Sequence, residues 1–409
     1  MAIVSGGTTV TLDMSGLKVA DLFDYDDATT TPTEAKYFDD ANNFLSLKGA
    51  GLTFDAKDAL TGGTISTFEL VAAGLTTFKI ESIPNVKVTD LSGFIAAGNT
   101  KGLLGLVLAG NDTVNGTGLD DKLFGFDGND TFIGGAGKDI IDGGNGVDRA
   151  SYLSSSAGVT IDLQTGTAAG GDAQGDTLTA IENVTGSRFA DKLTGNGDSN
   201  FFIDGGRAVD TLIGQGGNDI YAVHNSSTVI VENTGAGNDR VGVGGTNFTL
   251  ATGVSVELLN TTALKGTSNI NLTGNDIFQR VRGNEGDNVL DGKGGNDLLF
   301  GMGGKDTFVF SSALGAGNVD TIGDFKAADD TIHLENAIFT ALTATGTLTG
   351  DAFQANTSGL ATDATDRIIY EIDTGKLFYD ADGNGAGAAV QFALLTGNPA
   401  LTAADFVVI

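Results

Sequence analysis

Apolar and polar positions recur with a period of nine residues in the middle of the chain. Between residues 107 and 152, each unit places an aspartate two residues before an apolar side chain. A single apolar position between polar neighbours predicts a three-residue strand whose middle side chain points inward. Because the period recurs in five successive units, it indicates a repeat architecture. The pairs are Asp112 and Val114, Asp121 and Leu123, Asp130 and Phe132, Asp139 and Ile141, and Asp148 and Ala150.

The same period returns in two later blocks, 186–222 and 283–310. Isolated units are predicted at Asp239 with Val241 and at Asp276 with Phe278. In two units an asparagine replaces the aspartate, which weakens them as candidate metal sites. The pairs in the two blocks are Asp191 and Leu193, Asn200 and Phe202, Asp210 and Leu212, Asp219 and Tyr221, Asn288 and Leu290, Asp297 and Leu299, and Asp306 and Phe308.

Glycines are frequent in the six residues that end at each aspartate, as in residues 134–139. Glycine tolerates positive φ, so these residues can form a tight turn. One turn and one strand on each side make a coil of two units, and residues eighteen apart then stack. We therefore expect one edge of the coils to be lined by Asp112, Asp130 and Asp148, and the other by Asp121 and Asp139.

Stacked carboxylates repel one another unless a cation lies between them. Carbonyl oxygens of the turns face the same gap, so such a site offers only oxygen ligands. Oxygen ligands in a flexible loop suit Ca²⁺, whereas Mg²⁺ prefers a tighter octahedral shell and retains water. The pattern therefore predicts several Ca²⁺ ions between the coils. A solenoid of glycine and aspartate turns that binds no metal is the alternative.

The unit Gly134–Asp142 resembles the Gly-Gly-x-Gly-x-Asp-x-apolar-x repeat of the RTX, or hemolysin-type, calcium-binding proteins. The resemblance implies an all-β fold, a parallel β-roll. This is a right-handed β-solenoid of nonapeptide repeats, here with flanking β-rich N- and C-terminal regions. The carboxylates implied as calcium ligands are Asp112, Asp121, Asp130, Asp139, Asp148, Asp191, Asp210, Asp219, Asp239, Asp276, Asp297 and Asp306. The backbone carbonyls implied as ligands are those of Gly128, Gly135, Gly137, Gly144, Gly146, Gly217, Gly295 and Gly304.

Composition narrows the possible partners. The chain of 409 residues has a formal net charge of −30 at pH 7, which argues against binding to nucleic acid or to an anionic membrane surface. It contains no cysteine and two histidines, so thiolate chemistry is excluded and a histidine-based zinc site or catalytic triad is not expected. No apolar stretch approaches the roughly 18 residues of a spanning helix, so no transmembrane segment is expected.

The pattern divides the chain into segments of different character. These are a β-rich N-terminal region of unknown role at 1–106, the first repeat block at 107–152, a β connector at 153–185, further repeat blocks at 186–310 with an irregular insert at 223–271, and a C-terminal domain at 311–409. In the connector, alternating and apolar runs predict strands near residues 159–163 and 178–184.

The N-terminal region is the least informative part of the sequence. We expect strands at Thr8–Leu12 and Phe78–Lys87 and a short helix at Thr33–Phe44. The acidic residues Asp21, Asp24, Asp26 and Asp27 are interpreted as a solvated loop.

The C-terminal domain resembles the terminal domain that follows RTX repeats in serralysin-type secreted proteases. The resemblance rests on Asp320–Phe325, Asp366–Tyr370 and Leu377–Asp380. Asp405–Ile409 is similar to the acidic and apolar tail of type I secretion substrates. We expect no cleaved signal peptide, since Met1–Gly6 lacks a basic region, so the resemblance implies export by type I secretion machinery to the cell surface or the medium.

Residues 380–385 match the first half of an EF-hand loop, with Asp380, Asp382, Asn384 and Gly385 at the required spacing. Position twelve is Gln391, which cannot act as a bidentate carboxylate, and no helical pattern flanks the segment. We interpret it as an acidic β-turn, with a calcium site as the alternative.

The sequence contains no His-Glu-x-x-His zinc motif, no Gly-x-Ser-x-Gly elbow and no phosphate-binding loop. We therefore expect a secreted calcium-binding protein without enzymatic activity. Its role would be structural or adhesive at the cell surface, through a surface glycan or through self-association. The alternatives are a membrane-active RTX effector and an enzyme with an unrecognised N-terminal module.

Overall fold

The nine-residue units fold as short strands separated by tight turns in the computed structural model of the chain. The structure describes residues 2–6, 12–14, 25–40, 43–72, 75–206 and 208–409. Contacts divide the chain into two units, Met1–Asp210 and Thr211–Ile409. The boundary lies inside the second repeat block, so it does not coincide with a change in sequence pattern.

The N-terminal part of the first unit is an antiparallel sheet followed by two helices. Its elements are β1 (Ile3–Gly6), β2 (Asp27–Thr31), β3 (Glu34–Asp40), β4 (Asn43–Phe54), β5 (Leu60–Ala72), β6 (Leu75–Lys87), α1 (Val88–Ala96) and α2 (Thr100–Val107). Strands β2 to β6 pair antiparallel in chain order, and β1 pairs antiparallel with β6. The strand predicted at Phe78–Lys87 is confirmed as part of β6.

The helix predicted at Thr33–Phe44 is wrong, because β3 and the start of β4 occupy this segment. Ala35 and Tyr37 of β3 are buried, and Lys36 between them is partly exposed. This alternation is the period of a strand, and pairing with β2 and β4 outweighs the helix propensity of the sequence.

Some predictions for the N-terminal region fall on residues that the structure does not describe. Residues 8–11 of the strand predicted at Thr8–Leu12 lie outside the described residues, as do Asp21 and Asp24 of the acidic cluster. Asp26 and Asp27 are described, and both are exposed, as predicted, but Asp27 is the first residue of strand β2 and not part of a loop.

Two parallel ladders form the rest of the first unit. Their strands are β7 (Thr113–Asn115), β8 (Lys122–Phe124), β9 (Thr131–Ile133), β10 (Ile140–Asp142), β11 (Arg149–Ser151), β12 (Thr160–Asp162), β13 (Thr167–Ala169), β14 (Thr177–Thr179), β15 (Asn183–Thr185), β16 (Lys192–Thr194) and β17 (Phe201–Ile203). One ladder runs β7, β9, β11, β15 and β17. The other pairs β8, β10 and β14, and also β12 with β16. Val114 lies opposite Phe132, so neighbouring coils are offset by the expected eighteen residues.

The connector at 153–185 contains the strands that its sequence predicts. Strand β12 lies in the segment near 159–163, and β14 and β15 lie in the segment near 178–184. Strand β13 pairs antiparallel with β12 and β14, and β14 and β15 pair with β10 and β11. The connector therefore extends both ladders.

The second unit repeats the same arrangement. Its strands are β18 (Thr211–Ile213), β19 (Ile220–Val223), β20 (Val229–Val231), β21 (Arg240–Val243), β22 (Phe248–Thr249), β23 (Leu258–Thr261), β24 (Leu272–Thr273), β25 (Arg280–Arg282), β26 (Val289–Asp291), β27 (Leu298–Phe300), β28 (Thr307–Phe310), β29 (Asp320–Ile322), β30 (Thr331–Leu334), β31 (Gly346–Thr347), β32 (Phe353–Asn356), β33 (Ile368–Glu371), β34 (Lys376–Tyr379), β35 (Val390–Leu395) and β36 (Phe406–Val408). One parallel ladder runs through β19, β21, β23, β25, β27, β29 and β35. Another runs through β22, β24, β26, β28, β30 and β36. Strand β18 pairs in parallel with β20, and antiparallel pairing of β33, β34 and β35 completes the C-terminal part.

Segment 223–271 is not an irregular insert, because it contains strands β20 to β23 of the coils. Tyr221 lies opposite Val241, Val241 opposite Leu259, and Leu259 opposite Val281. The offsets between coils are therefore 20, 18 and 22 residues. These strands keep their inward apolar side chains. Because the turns between them differ in length, the nine-residue period is not visible in the sequence.

The core of each coil consists of the middle side chains of its strands. Ile141 is 1% exposed, whereas its neighbour Ile140 is 43% exposed, so the alternation predicted from the sequence is confirmed. The largest buried side chains of the coils include Phe132, Phe202 and Phe308. The fold is thus an all-β parallel β-roll. Among the described residues, no helix has the length and apolar character needed to cross a membrane.

Candidate metal centres

A hydrogen bond from the backbone to a carboxylate joins each coil to the next. The N–H of Asp112 donates to Oδ1 of Asp130 at 2.7 Å, and that of Asp130 donates to Oδ1 of Asp148 at 2.7 Å. On the other edge, the N–H of Asp121 donates to Oδ1 of Asp139 at 2.9 Å. The predicted stacking of these five residues is therefore confirmed, and all of them are buried.

The later repeat residues form the same contact. The N–H of Asp191 donates to Asp210, that of Asp219 to Asp239, and that of Asn288 to Asp306, each at 2.8 to 2.9 Å. These aspartates are also buried.

Acidic residues outside the nine-residue period extend the stacks of carboxylates. Oxygens of Asp176, Glu182, Glu257, Asp320 and Asp330 accept the backbone N–H of Asp139, Asp148, Asp239, Asp297 and Asp306, respectively. Loops between coils change the spacing in most of these pairs, and Glu257 replaces the expected aspartate. A signal for them exists in the sequence, because each stands two residues before a buried apolar side chain of the next coil.

One carboxylate oxygen of many repeat aspartates has no partner within the protein. Oδ1 accepts the bond from the neighbouring coil, and Oδ2 is buried without a hydrogen bond in the part of the chain that the structure describes. Buried polar atoms are almost always paired, so an unpaired anionic oxygen indicates a missing donor or cation. Residues with this unpaired Oδ2 are Asp112, Asp130, Asp139, Asp148, Asp210, Asp239 and Asp297.

The glycine that begins each turn provides the space next to this oxygen. A Cβ on Gly125 would lie 2.2 Å from Oδ2 of Asp130 and 2.4 Å from the carbonyl oxygen of Gly143 in the next coil. A carboxylate oxygen and a carbonyl oxygen of two coils therefore border the same small space. An environment of oxygens alone suits a hard cation such as Ca²⁺. The donor set thus fits the predicted ion.

The eight glycines predicted as backbone ligands all have positive φ. At Gly146, φ is 146° and a Cβ would lie 1.7 Å from the carbonyl oxygen of Gly128, so any larger residue would clash with the neighbouring coil. The turn therefore requires glycine there whether or not its carbonyl binds metal. Beside Oδ2 of Asp130 the structure places the carbonyl of Gly143, which the sequence did not select.

Nine of the turns that precede stacked residues are of two kinds. In the turns that we call open, the residue after the first glycine has positive φ, and Oδ2 of the following aspartate is unpaired. In the turns that we call closed, a side chain or backbone N–H at that position bonds to the stacked residue instead. The open turns begin at Gly125, Gly134, Gly143 and Gly292, and the closed turns at Gly116, Gly186, Gly195, Gly274 and Gly283.

Hydroxyl groups satisfy the carboxylates of two closed turns. The N–H and Oγ1 of Thr117 donate to Oδ2 of Asp121 at 2.5 and 3.0 Å. Ser187 donates its N–H to Oδ2 and its hydroxyl to Oδ1 of Asp191, at 2.6 and 2.7 Å. Asp121 and Asp191, both predicted as calcium ligands, are thus already hydrogen-bonded on both oxygens.

Amide side chains satisfy the other closed turns. Oδ1 of Asn288 accepts the N–H of Asn284 at 2.7 Å, and its Nδ2 donates to the carbonyl of Ile270 at 3.0 Å. In the same way, Oδ1 of Asn200 accepts the N–H of Asn196 at 2.9 Å. An amide brings both a donor and an acceptor, so these turns close without a cation.

The assignment of Asp276 as a stacked ligand is wrong by three residues. Gln279 takes that place, because its N–H donates to Oδ1 of Asp297 at 2.6 Å and Val281 after it is buried. Asp276 is exposed and accepts the N–H of Gly253, and Phe278 is 54% exposed. The sequence was misleading because an aspartate two residues before an apolar side chain also occurs within this turn.

Burial and like charge disfavour ionisation of the stacked aspartates. Desolvation, with smaller contributions from neighbouring carboxylates, raises the pKa of Asp130 and of Asp139 to about 7 and that of Asp297 to about 8. The pKa of Asp148 rises to about 6, mainly through burial. A cation beside these oxygens would favour their ionised form.

Asp380 and Asp382 lie in a turn of the C-terminal part and not in a stack of coils. Asp380 is buried, whereas Asp382 is exposed and accepts the N–H of Gly387 at 3.0 Å. The segment connects β34 to β35 without flanking helices, as expected for an acidic turn.

Comparison with known families agrees with this geometry. The family model of the RTX calcium-binding nonapeptide repeat matches four copies, at residues 108–141, 115–150, 202–222 and 282–312. The chain contains RTX calcium-binding nonapeptide repeats. RTX repeats bind calcium in general and are typical of secreted or extracellular proteins. A search of curated proteins finds no match to the chain.

Open and closed turns are expected to respond differently to loss of the carboxylate. Asp139→Asn should bind fewer Ca²⁺ ions than the wild type, because it removes the unpaired Oδ2 of an open turn. Asp121→Asn should keep the wild-type number, since closed turns of this chain already accept asparagine at Asn200 and Asn288. Equilibrium dialysis against Ca²⁺ measures both. Equal losses in the two variants would contradict the distinction between the turns.

Stability without calcium should fall as pH rises. The folded chain binds protons at the stacked aspartates that the unfolded chain, with pKa values near 4, releases. Between about pH 4 and 8 the folded state therefore binds more protons, and raising the pH destabilises it. In chelator, the far-UV circular dichroism signal for β-structure should be larger at about pH 5.5 than at about pH 8. In saturating Ca²⁺ this decrease should shrink or reverse, because Ca²⁺ needs deprotonated ligands. A β signal in chelator that grows with pH would contradict the assignment.

Proposed function

We propose that the chain is a secreted calcium-binding protein whose RTX repeats fold on binding extracellular Ca²⁺. Its role would be structural or adhesive at the cell surface, not enzymatic. The observation that carries the proposal is the row of buried Oδ2 atoms in the open turns, for which the described residues provide no hydrogen-bond partner. They offer repeated sites of oxygen ligands between coils.

The chain's own residues explain why folding would depend on the ion. Stacking the coils buries Asp130 and Asp148 close enough for the charge of Asp148 to raise the pKa of Asp130. Each coil therefore adds another desolvated negative charge to the stack. A bound Ca²⁺ would supply the positive charge that the open turns lack.

The size of the effect follows from mass action. Extracellular calcium modules bind with dissociation constants of roughly 10⁻⁴ to 10⁻³ M. At a free concentration ten times the dissociation constant, one site stabilises the folded state by about 1.4 kcal/mol. Several such sites together are comparable to the whole stability of a domain, about 5–15 kcal/mol.

Export by a type I secretion system is part of the proposal. With a net charge of −30 and no calcium to neutralise its turns, the chain would stay unfolded in the cytosol and could pass a narrow channel. The similarity of Asp405–Ile409 to type I secretion tails supports this route. In the folded chain Phe406–Val408 is strand β36, paired with β30, so the tail would have a second, structural role after export.

A cavity in the N-terminal region supports a second candidate function. The sheet and the two helices border a partly open cavity of about 540 Å³, lined mainly by apolar side chains such as Phe68, Ile80 and Leu104. Tyr37 and Lys57 are among its polar residues. A site of this size and lining suits a small apolar ligand, as a binding or catalytic N-terminal module would require. Saturable binding of a fluorescent fatty acid by the full chain would support this candidate.

The first function predicts a cooperative gain of β-structure during a calcium titration. Full-length protein in chelator should show a weak far-UV circular dichroism signal for β-structure, and the signal should grow steeply near millimolar Ca²⁺. Mg²⁺ at the same concentrations is the control, and it should have little effect because it retains its water shell. A complete β signal in excess chelator would contradict calcium-coupled folding.

A further inference from the structure

Glu232 faces the turn that ends at Asp219 from the next coil. It follows strand β20, which pairs with β18 so that Ile213 lies opposite Val231. Glu232 therefore lies opposite Gly214, the first residue of the turn. In the open turn at Gly125 the residue in the equivalent place is Gly143, which brings no side chain into the space between coils. Here the next coil places a carboxylate in that space.

Three carboxylates meet at this point. Asp219, Glu232 and Asp239 each offer an oxygen that lies within 4.8 Å of the other two, and all three residues are buried. The N–H of Asp219 donates to Oδ1 of Asp239 at 2.8 Å, as in the other stacks. Glu232 thus adds a third carboxylate to an ordinary pair of stacked aspartates.

Unpaired oxygens in this cluster are a second observation, separate from the acidic character of its residues. Glu232 is 5% exposed, and within the described ranges its buried Oε2 has no hydrogen bond, nor has the buried Oδ2 of Asp239. A Cβ on Gly214 would lie 1.9 Å from Oε1 of Glu232 and 2.2 Å from Oδ2 of Asp219. Because residue 214 is a glycine, it has no side chain that could occupy the space between these oxygens.

The charges that act on Glu232 are of its own sign. Asp219 and Asp239, whose carboxylate oxygens lie within 4.8 Å of an oxygen of Glu232, are both acidic. The N–H of Asp239 in turn donates to Glu257, which is also acidic. Buried charges in proteins are paired with opposite charge or coordinate a metal. Among the described residues of this cluster, the charged groups do not supply the opposite charge.

We propose that Asp219, Glu232 and Asp239 form a three-carboxylate cation site that differs from the aspartate sites of the other coils. Its ligand is a hard cation, Ca²⁺ in the extracellular medium, and a trivalent lanthanide serves as a probe. The site rests on the proposed calcium-binding function. Affinity for Ca²⁺ increases with the number of charged ligands, so this site fills before the others.

Tyr221 is a positioning residue of the site. Its hydroxyl donates to Oε1 of Glu232, and the residue is buried in the middle of strand β19. This bond holds the glutamate over Gly214 and leaves Oε2 for the cation. The phenol ring also stands next to the site, which allows a spectroscopic test.

Terbium luminescence tests the proposal in the full-length protein. The chain contains no tryptophan, so excitation near 280 nm reaches bound Tb³⁺ through tyrosine. The wild type should show sensitised emission that is already large at the first equivalent of Tb³⁺. Glu232→Gln should lose most of this early emission and bind one Ca²⁺ fewer in equilibrium dialysis. Tyr221→Phe should lose the emission but keep the number of bound Ca²⁺ ions.

Control variants separate the site from its surroundings. Glu285→Gln makes the same change at an exposed glutamate of the same unit, and it should keep both the emission and the number of ions. Tyr152 also bonds to a stacked carboxylate, that of Asp176, so Tyr152→Phe measures any emission from that stack. Circular dichroism in saturating Ca²⁺ checks that each variant is folded.

The outcomes distinguish this proposal from the general function. If Glu232→Gln changes neither the early emission nor the number of bound ions, the three-carboxylate site is overturned. Unchanged early emission in Tyr221→Phe would also overturn it, and this variant decides the matter if Glu232→Gln does not fold. Failure of the wild type to bind any Ca²⁺ would instead overturn the calcium-binding function itself.

Discussion

The coils of the roll are joined by hydrogen bonds from a backbone N–H to a carboxylate oxygen one coil further along. This contact places an aspartate in the interior of the stack and removes it from water. One oxygen of the carboxylate is satisfied by the bond, and the other is left in a space that only glycine can border. The same contact that aligns the coils therefore creates the unpaired charge, and the rest of the structure follows from how that charge is satisfied.

The chain satisfies it in two ways. Closed turns use a threonine, a serine or an amide, so that donors within the protein complete the stacked residue. Open turns place a residue with positive φ at that position and leave the oxygen unpaired. On the proposed function, coils with closed turns form without an ion, and coils with open turns need one. In the second unit the closed turns at Gly274 and Gly283 directly precede the open turn at Gly292. The proposal therefore expects a stretch that folds without calcium next to one that depends on it.

The N-terminal region also contributes to this arrangement. Strand β1 pairs in parallel with β7, and the N–H groups of Ala2 and Leu12 donate to Oδ1 of Asp112 and Asp121. The first coil is therefore covered by chain that lacks the repeat. Solenoids require such capping segments because a terminal coil has no neighbour to satisfy its polar groups.

Much of this architecture could be predicted from the sequence, and the failures have physical causes. Inward apolar side chains and tight turns impose a period of nine, so the strands and the stacking of Asp112, Asp130 and Asp148 were predictable. The period disappears wherever a turn changes length, because the strands tolerate longer turns. For this reason the coils of 223–271 and the stacked Asp176 were missed.

Other failures concern the chemistry of single residues. The nine-residue pattern does not distinguish Asp121, which follows a closed turn, from Asp139, which follows an open turn. The two turns differ in the residue four positions before the aspartate, which is Thr117 in the first and Gly135 in the second. The pattern also missed Glu232, because the nine-residue repeat has no acidic position directly after a strand. At Thr33–Phe44, strand pairing outweighed local propensity.

Locating the ions in a crystal tests the central claim most directly. Crystals of the full chain grown in Ca²⁺ and exchanged into Tb³⁺ would show each bound ion as a peak in an anomalous difference map. The account predicts peaks beside the glycines that begin the open turns, Gly125, Gly134, Gly143 and Gly292, and none beside those of the closed turns. Peaks of equal occupancy in closed and open turns, or open turns without ions, would contradict it.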